Sequence, residues 1–350
     1  MSLPIDDVLY LSAADIEASL AGAELELVDR VRDAYERHSA GRSAVPHSVF
    51  VRFPERPRDR IIALPAWLGS APELAGIKWI SSVPGNHERG IDRASAVMIL
   101  NDLETGRARV VMEGSIVSAW RTAASAALAA RTLSSEERPE RVALVGCGRI
   151  QLEVLRFLRA VFPSLRQAVM LDTDAGAAAR FADTAARTLG AMHFETAPTL
   201  EALFASAALV SLATTSGTPF IEPAALSSAP RGSTILHLSL RDLAPSIVLG
   251  AHNVVDDEDH VCRAETSLHL AEQEVGHRRF VHAALGDVTA GRTTARPDRD
   301  RLVVFSPFGL GVLDLVAADL VAQRAIASGR GTVLRGFFPP RVIAREESGR

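Results

Sequence analysis

Residues 142–153, VALVGCGRIQLE, constrain the fold more than any other stretch of this chain. Four apolar residues run into Gly146 and Gly148, and a helix-compatible pattern follows at once. A strand, a glycine turn and a helix in that order open a dinucleotide-binding unit. In such a turn the first two glycines bend the chain and let backbone approach a pyrophosphate, while the third only lets helix and strand pack closely. Gln151 stands where the third glycine belongs, so the residue given up is the one least concerned with phosphate. Gly146, Gly148, Arg149 and Ile150 are therefore expected at the cofactor, the last two opening the helix whose N-terminus favours negative charge. Asp172 ends the next apolar run, QAVMLDTD, about 20 residues on, where a carboxylate accepts from ribose hydroxyls and repels a 2′-phosphate. That favours NAD over NADP.

Beyond the turn, strand-like runs alternate with helical ones through MHFET, ALVSLATT, TILHLSL and NVVDD. Apolar strands separated by helices predict a parallel sheet covered on both faces, a doubly wound Rossmann-type α/β domain over residues 131–317. The residues before it read differently. A capping-box-like start at Ser12 opens one or two helices that end at Gly41, and short β-rich runs then fill residues 48–115 as a mostly antiparallel sheet. A small-residue helix, SIVSAWRTAASAALAARTL, follows, and SSEERPE marks the boundary. Residues 1–130 thus form an α+β substrate-binding and dimerisation domain. The long helical run after SPFG crosses back, so that residues 318–350 complete it.

Composition excludes several classes. The 350 residues are 47% hydrophobic with a formal net charge of −4, which leaves no polybasic arm for nucleic acid. No apolar stretch reaches the roughly 20 residues a membrane span needs. Two cysteines make no disulfide framework, and a cytoplasmic protein with a small-molecule partner is expected. Among the 38 basic residues only Lys78 is lysine. A chain that otherwise uses arginine keeps a compact ammonium there, in the half-buried strand GIKWI, for a reason. Arg52 and Arg121 are likewise cations on apolar elements, and unpaired cations in such places call for an anion such as a ligand carboxylate. Asp242, just past a strand of the second domain, is expected to face the interdomain cleft, where it reads either as an ordinary loop carboxylate or as a group that orients water or takes a proton. Thr214 and Thr215, in LATTSGTP at a strand end, leave room for a nicotinamide ribose. The acidic run VVDDEDHVC tempts a metal assignment, but its consecutive carboxylates diverge and its spacing matches no standard site, so no metal is expected.

The stretches RIIALPAWLG, AGIKWISSVPGN, DRASAVMILNDLETG, RTAASAALAAR, VGCGRI, VVDD and SPFG resemble the ornithine cyclodeaminase/μ-crystallin family, most of all its 2,3-diaminopropionate-forming branch known from siderophore pathways. The resemblance implies a homodimer joined through the first domains. It places carboxylate binding on Arg52, Lys78 and Arg121, and a catalytic role on Asp242. It implies NAD-dependent oxidation of N-(2-amino-2-carboxyethyl)-L-glutamate to 2-oxoglutarate and 2,3-diaminopropionate. The same family holds alanine dehydrogenases, imine reductases, cyclodeaminases and a non-catalytic cofactor binder.

Overall fold

The structure, a computed structural model, describes residues 4–339 apart from the side chains of His87 and Ala175. Residues 340–350, expected to help complete the first domain, lie outside the described residues. The amino-terminal part contains β1 (Val8–Leu11), α1 (Ala13–Leu20), α2 (Glu24–Ser39), β2 (Ser43–Ala44), β3 (Val49–Phe53), β4 (Arg56–Leu68), β5 (Leu74–Ser82), β6 (Ala94–Asn101), β7 (Ala108–Glu113) and α3 (Ser115–Leu133). The next part runs through β8 (Arg141–Val145), α4 (Arg149–Val161), β9 (Gln167–Leu171), α5 (Ala175–Leu189), β10 (His193–Thr196), α6 (Leu200–Ser206), β11 (Leu209–Leu212) and β12 (Thr234–His237). It continues with α7 (Pro245–Gly250), β13 (His252–Val255), α8 (Glu258–Val261), α9 (Ser267–Val275), β14 (Val281–Ala284), α10 (Leu285–Thr289) and β15 (Val303–Ser306). The chain then returns through α11 (Gly311–Ala327) and β16 (Thr332–Leu334).

Two sheets result. The first has the order β16-β1-β7-β6-β5-β4-β2 with β3 on β4, and is antiparallel except where β1 meets β7. The second is wholly parallel in the order β10-β9-β8-β11-β12-β15-β13-β14. Strand order reverses between β8 and β11, the switch point outside which open α/β sheets bind ligands. The expected fold class is thus present.

Strand β1 was not foreseen: the opening was read as helical. Its four residues VLYL are too short to show a period, and what makes them a strand is pairing with β7 and β16, far away in sequence.

Helix α3 joins the two parts. Its alanines and serines favour helix and let neighbours approach, and 15 of its 19 residues are buried, so almost no face is left for water. Glu113 fixes its start, accepting from the Ser115 (2.6 Å) and Ile116 (3.0 Å) backbone N–H groups. One continuous apolar core includes Leu128 of α3, Phe157 of α4, Phe305 of β15 and Leu313 of α11. The two sheets are therefore held about a common interior.

Candidate active site

The carboxyl ends of the parallel strands carry most of the candidate residues along one edge. At the end of β8, Gly146 has φ of 88°, and a Cβ there would stand 2.4 Å from the Ala213 carbonyl, so only glycine fits. Gly148 has nothing within 4 Å of where a Cβ would lie, and it caps α4 without a side-chain hydrogen bond. Open space in front of uncapped N–H groups suits a pyrophosphate. Asp172 accepts the Cys147 N–H (2.8 Å) on one oxygen and the Asp174 N–H (2.9 Å) on the other, leaving a lone pair on each for ribose hydroxyls. Arg149 is turned away, its guanidinium 2.6 Å from Asp92, while Ile150 packs against the core.

Gln151 is fully buried and does what a glycine cannot. Its amide nitrogen donates to the Ser211 carbonyl (3.1 Å) and its oxygen accepts from the Ser211 hydroxyl (3.1 Å), tying α4 to β11. Close packing of bare backbone is replaced by a fully satisfied polar tie.

Lys78 and Arg121 meet over a residue not singled out from the sequence, Asp314 in the first turn of α11. Lys78 Nζ lies 2.7 Å from one Asp314 oxygen and donates to Ser118 Oγ (3.1 Å); Arg121 Nε donates to the other oxygen (2.9 Å). All three are buried. Two cations thus share one carboxylate, and the cluster keeps an excess positive charge away from water. Burial lowers the Lys78 pKa to about 8, with Arg121 pushing the same way and Asp314 opposing. A lone aspartate in the apolar run GVLDLVAADLV was the available signal, by the same reasoning that picked out Lys78.

The acidic run has structural duties here. Buried Asp256 accepts from the N–H groups of Phe308 (2.9 Å) and Gly309 (2.7 Å), and Gly309, with φ of 97°, presses on Arg121: a Cβ there would stand 2.8 Å from a guanidinium nitrogen. The segments VVDD and SPFG therefore act together behind one cation. Asp257 receives His38 of α2 (3.1 Å) and His260 (2.9 Å), latching the two parts of the chain.

Two expectations require correction. Asp242 was expected to face the cleft. Its side chain is instead fully buried, accepting from the hydroxyls of Thr214 and Ser239, while its own N–H donates to His237 (3.2 Å). Burial alone would raise its pKa, but His237, Ser239 and Thr214 together hold the carboxyl below its ordinary value, so it is ionised at neutral pH. Thr214 thus serves Asp242, and Thr215 is exposed beside it. Arg52 was grouped with Lys78 and Arg121, and strand register separates them. Arg52 pairs with Arg60, whose partner on β5 is Ser82, whereas the partner of Lys78 on β4 is Leu64.

Known proteins resemble this chain over almost its whole length. N-((2S)-2-amino-2-carboxyethyl)-L-glutamate dehydrogenase of Staphylococcus aureus (strain NCTC 8325 / PS 47) is 30% identical over 334 residues, which cover 94% of this chain and 98% of that one. The structure of Thermococcus litoralis Δ1-pyrroline-2-carboxylate reductase, in complex with NADH and L-proline, matches with a TM-score of 0.85 at 23% identity, covering 93% of this chain and 99% of the other. An archaeal alanine dehydrogenase dimer with bound NAD matches with a TM-score of 0.83 at 25% identity, covering 95% and 100%. Fold and site together define an NAD-dependent oxidoreductase of amino acids. The chain belongs to the ornithine cyclodeaminase/mu-crystallin family, whose profile matches residues 7–329.

Proposed function

We propose that the enzyme oxidises N-(2-amino-2-carboxyethyl)-L-glutamate at its glutamyl Cα–N bond and hydrolyses the imine to 2-oxoglutarate and L-2,3-diaminopropionate, a siderophore or antibiotic precursor. Substrate, NAD and water give the two products, NADH and a proton. The observation that carries this reading is the Lys78–Asp314–Arg121 cluster, whose uncompensated positive charge fits a substrate carboxylate. Its likeness to the S. aureus dehydrogenase supports the choice of substrate.

NAD supplies a hydride acceptor when bound, and Gly146, Gly148 and Asp172 would hold it. Lys78 and Arg121 fix the glutamyl carboxylate, and with it the direction of the Cα–H bond. Asp314, buried in the first turn of α11, keeps both cations in place. Asp242 has both oxygens occupied by hydroxyls, so it takes the proton of the attacking water through Thr214 or Ser239. The elements from β1 to α3, completed by the returning α11 and β16, form the substrate and dimerisation unit, the elements from β8 to β15 the cofactor unit, and the protein works in the cytoplasm as a homodimer. No helix of the described residues is long and apolar enough to cross a membrane.

Mass spectrometry of products tests the reaction. Incubation with NAD and the glutamate adduct should yield 2-oxoglutarate and 2,3-diaminopropionate in step with NADH. Consumption of ornithine without net NADH, with the adduct inert, would instead establish a cyclodeaminase.

A further inference from the structure

The inner face of the first sheet carries a second set of cations that the reaction as described does not use. Register places Arg52 opposite Arg60 and Arg60 opposite Ser82, which pairs with Ala94; Arg93, the residue before Ala94, borders this row, and its carbonyl accepts the Val83 N–H (2.9 Å). Residues Lys78, Ile80 and Ser82 alternate onto the same face, so this row lies four residues from Lys78, about 13 Å along the strand at ~3.3 Å per residue. From the other sheet Arg241, one residue before Asp242, donates to the Ala264 carbonyl (2.6 Å). The surrounding loops are strained: of four described non-glycine residues with positive φ, Leu240, Ala264 and Glu265 are here.

Arg60 and Arg241 are half-buried, and Arg52 and Arg93 line the exposed rim beside them. Among the described residues no carboxylate lies within 4 Å of a charged nitrogen of Arg52, Arg60, Arg93 or Arg241. Arg60 Nε and Ser82 Oγ are buried with no hydrogen-bond partner. Burial and then mutual repulsion depress the pKa values: Arg60 feels Arg52, Arg93 feels Arg60, and Arg241 feels Arg60 and Arg52, with Glu265 and Asp242 opposing only at Arg241. Four guanidiniums that repel one another are held together by the fold, and an anion between them removes the conflict.

We propose that Arg52, Arg60, Arg93 and Arg241 form an anion subsite for the far carboxylates of a substrate whose α-carboxylate lies on Lys78 and Arg121. The inference rests on the function proposed above and adds to it a specificity device: a long acid with carboxylates several bonds apart spans both cation groups, and alanine or proline reaches only one. Arg52 thereby acquires a role at the opposite end from the one first expected.

Calorimetric titration of the NADH-loaded protein with 2-oxoglutarate and with 2-oxobutyrate, which lacks the second carboxylate, tests this. The wild type should bind 2-oxoglutarate at least ~10-fold more tightly, as expected of charge-assisted hydrogen bonds. The Arg60→Gln/Arg241→Gln double variant should bring the two ligands to within about 2-fold by weakening 2-oxoglutarate alone. The ligand-free Tm of Arg60→Gln alone should not fall, because repulsion is relieved and, among the described residues, its side chain gives up no hydrogen bond; a purely structural role would lower it. Arg52→Gln, at the exposed rim, gives the same comparison should the double variant not fold. Equal affinities in the wild type, or an unchanged preference in the variants, would overturn the subsite. A wild type that prefers 2-oxoglutarate yet forms no NADH from the glutamate adduct would support the subsite and overturn the reaction.

Discussion

At the scale of single residues, Lys78 carries the most consequence. Its ammonium must be charged to hold a carboxylate, and burial has brought its pKa to about 8. The free-enzyme profile of kcat/KM should therefore fall as pH rises through about 8. In Lys78→Arg that alkaline limb should vanish, because a guanidinium stays charged, while kcat/KM drops roughly 100-fold from misplacement of the carboxylate. Full activity in this variant would show that a compact ammonium is not needed. The stability sign follows from the same shift. The folded protein releases this proton before an unfolded lysine would, so this group's contribution to stability rises with pH between about 8 and the ordinary lysine value of 10.5. Lys78 was legible because it is the chain's lone lysine, and Arg121 because it interrupts a small-residue helix. Asp242 was legible as a position but not as an orientation, since a turn sequence does not reveal which way a carboxylate points.

At the scale of elements, the α4–β11 contact is decided by Gln151. Truncation to alanine removes the amide that the Ser211 hydroxyl donates to and leaves that hydroxyl buried without a partner, which costs about 1–3 kcal/mol. Gln151→Ala should lower Tm by several degrees, yet change the NAD dissociation constant little, because the phosphate-facing glycines are untouched. A large loss of NAD affinity with an unchanged Tm would place Gln151 in the cofactor site instead. The glycine turn, the small-residue helix and most strands could be read locally, from period and turn chemistry. Strand β1 and the Asp314 partnership could not, because each is made by residues far apart in sequence: Val8 pairs with Leu334, and Arg121 with Asp314.

For the whole molecule, the outer face of the first sheet is left exposed by the described residues of one chain. Val49, Ala63, Trp79 and Val97 form one cross-strand row there, and Val49, Trp79 and Val97 are 63%, 44% and 44% exposed, far more than solitary chance exposure of tryptophan and valine on a sheet requires. A second copy covering this face is the proposed homodimer. Sedimentation velocity should find the wild type dimeric and Val97→Asp monomeric; a monomeric wild type would contradict it. On the proposed division into a carboxylate-holding part and a cofactor part, the glycine turn comes late because the preceding residues build the other wall of the cleft. The account's central claim, that this cleft oxidises a long acidic amino acid held by Lys78 and Arg121, is tested most directly by initial rates of NADH formation. With saturating NAD, kcat/KM for N-(2-amino-2-carboxyethyl)-L-glutamate should exceed that for alanine by about 100-fold or more, the scale of one or two charge-assisted contacts. Equal rates with alanine, or no NADH from the glutamate adduct, would contradict it.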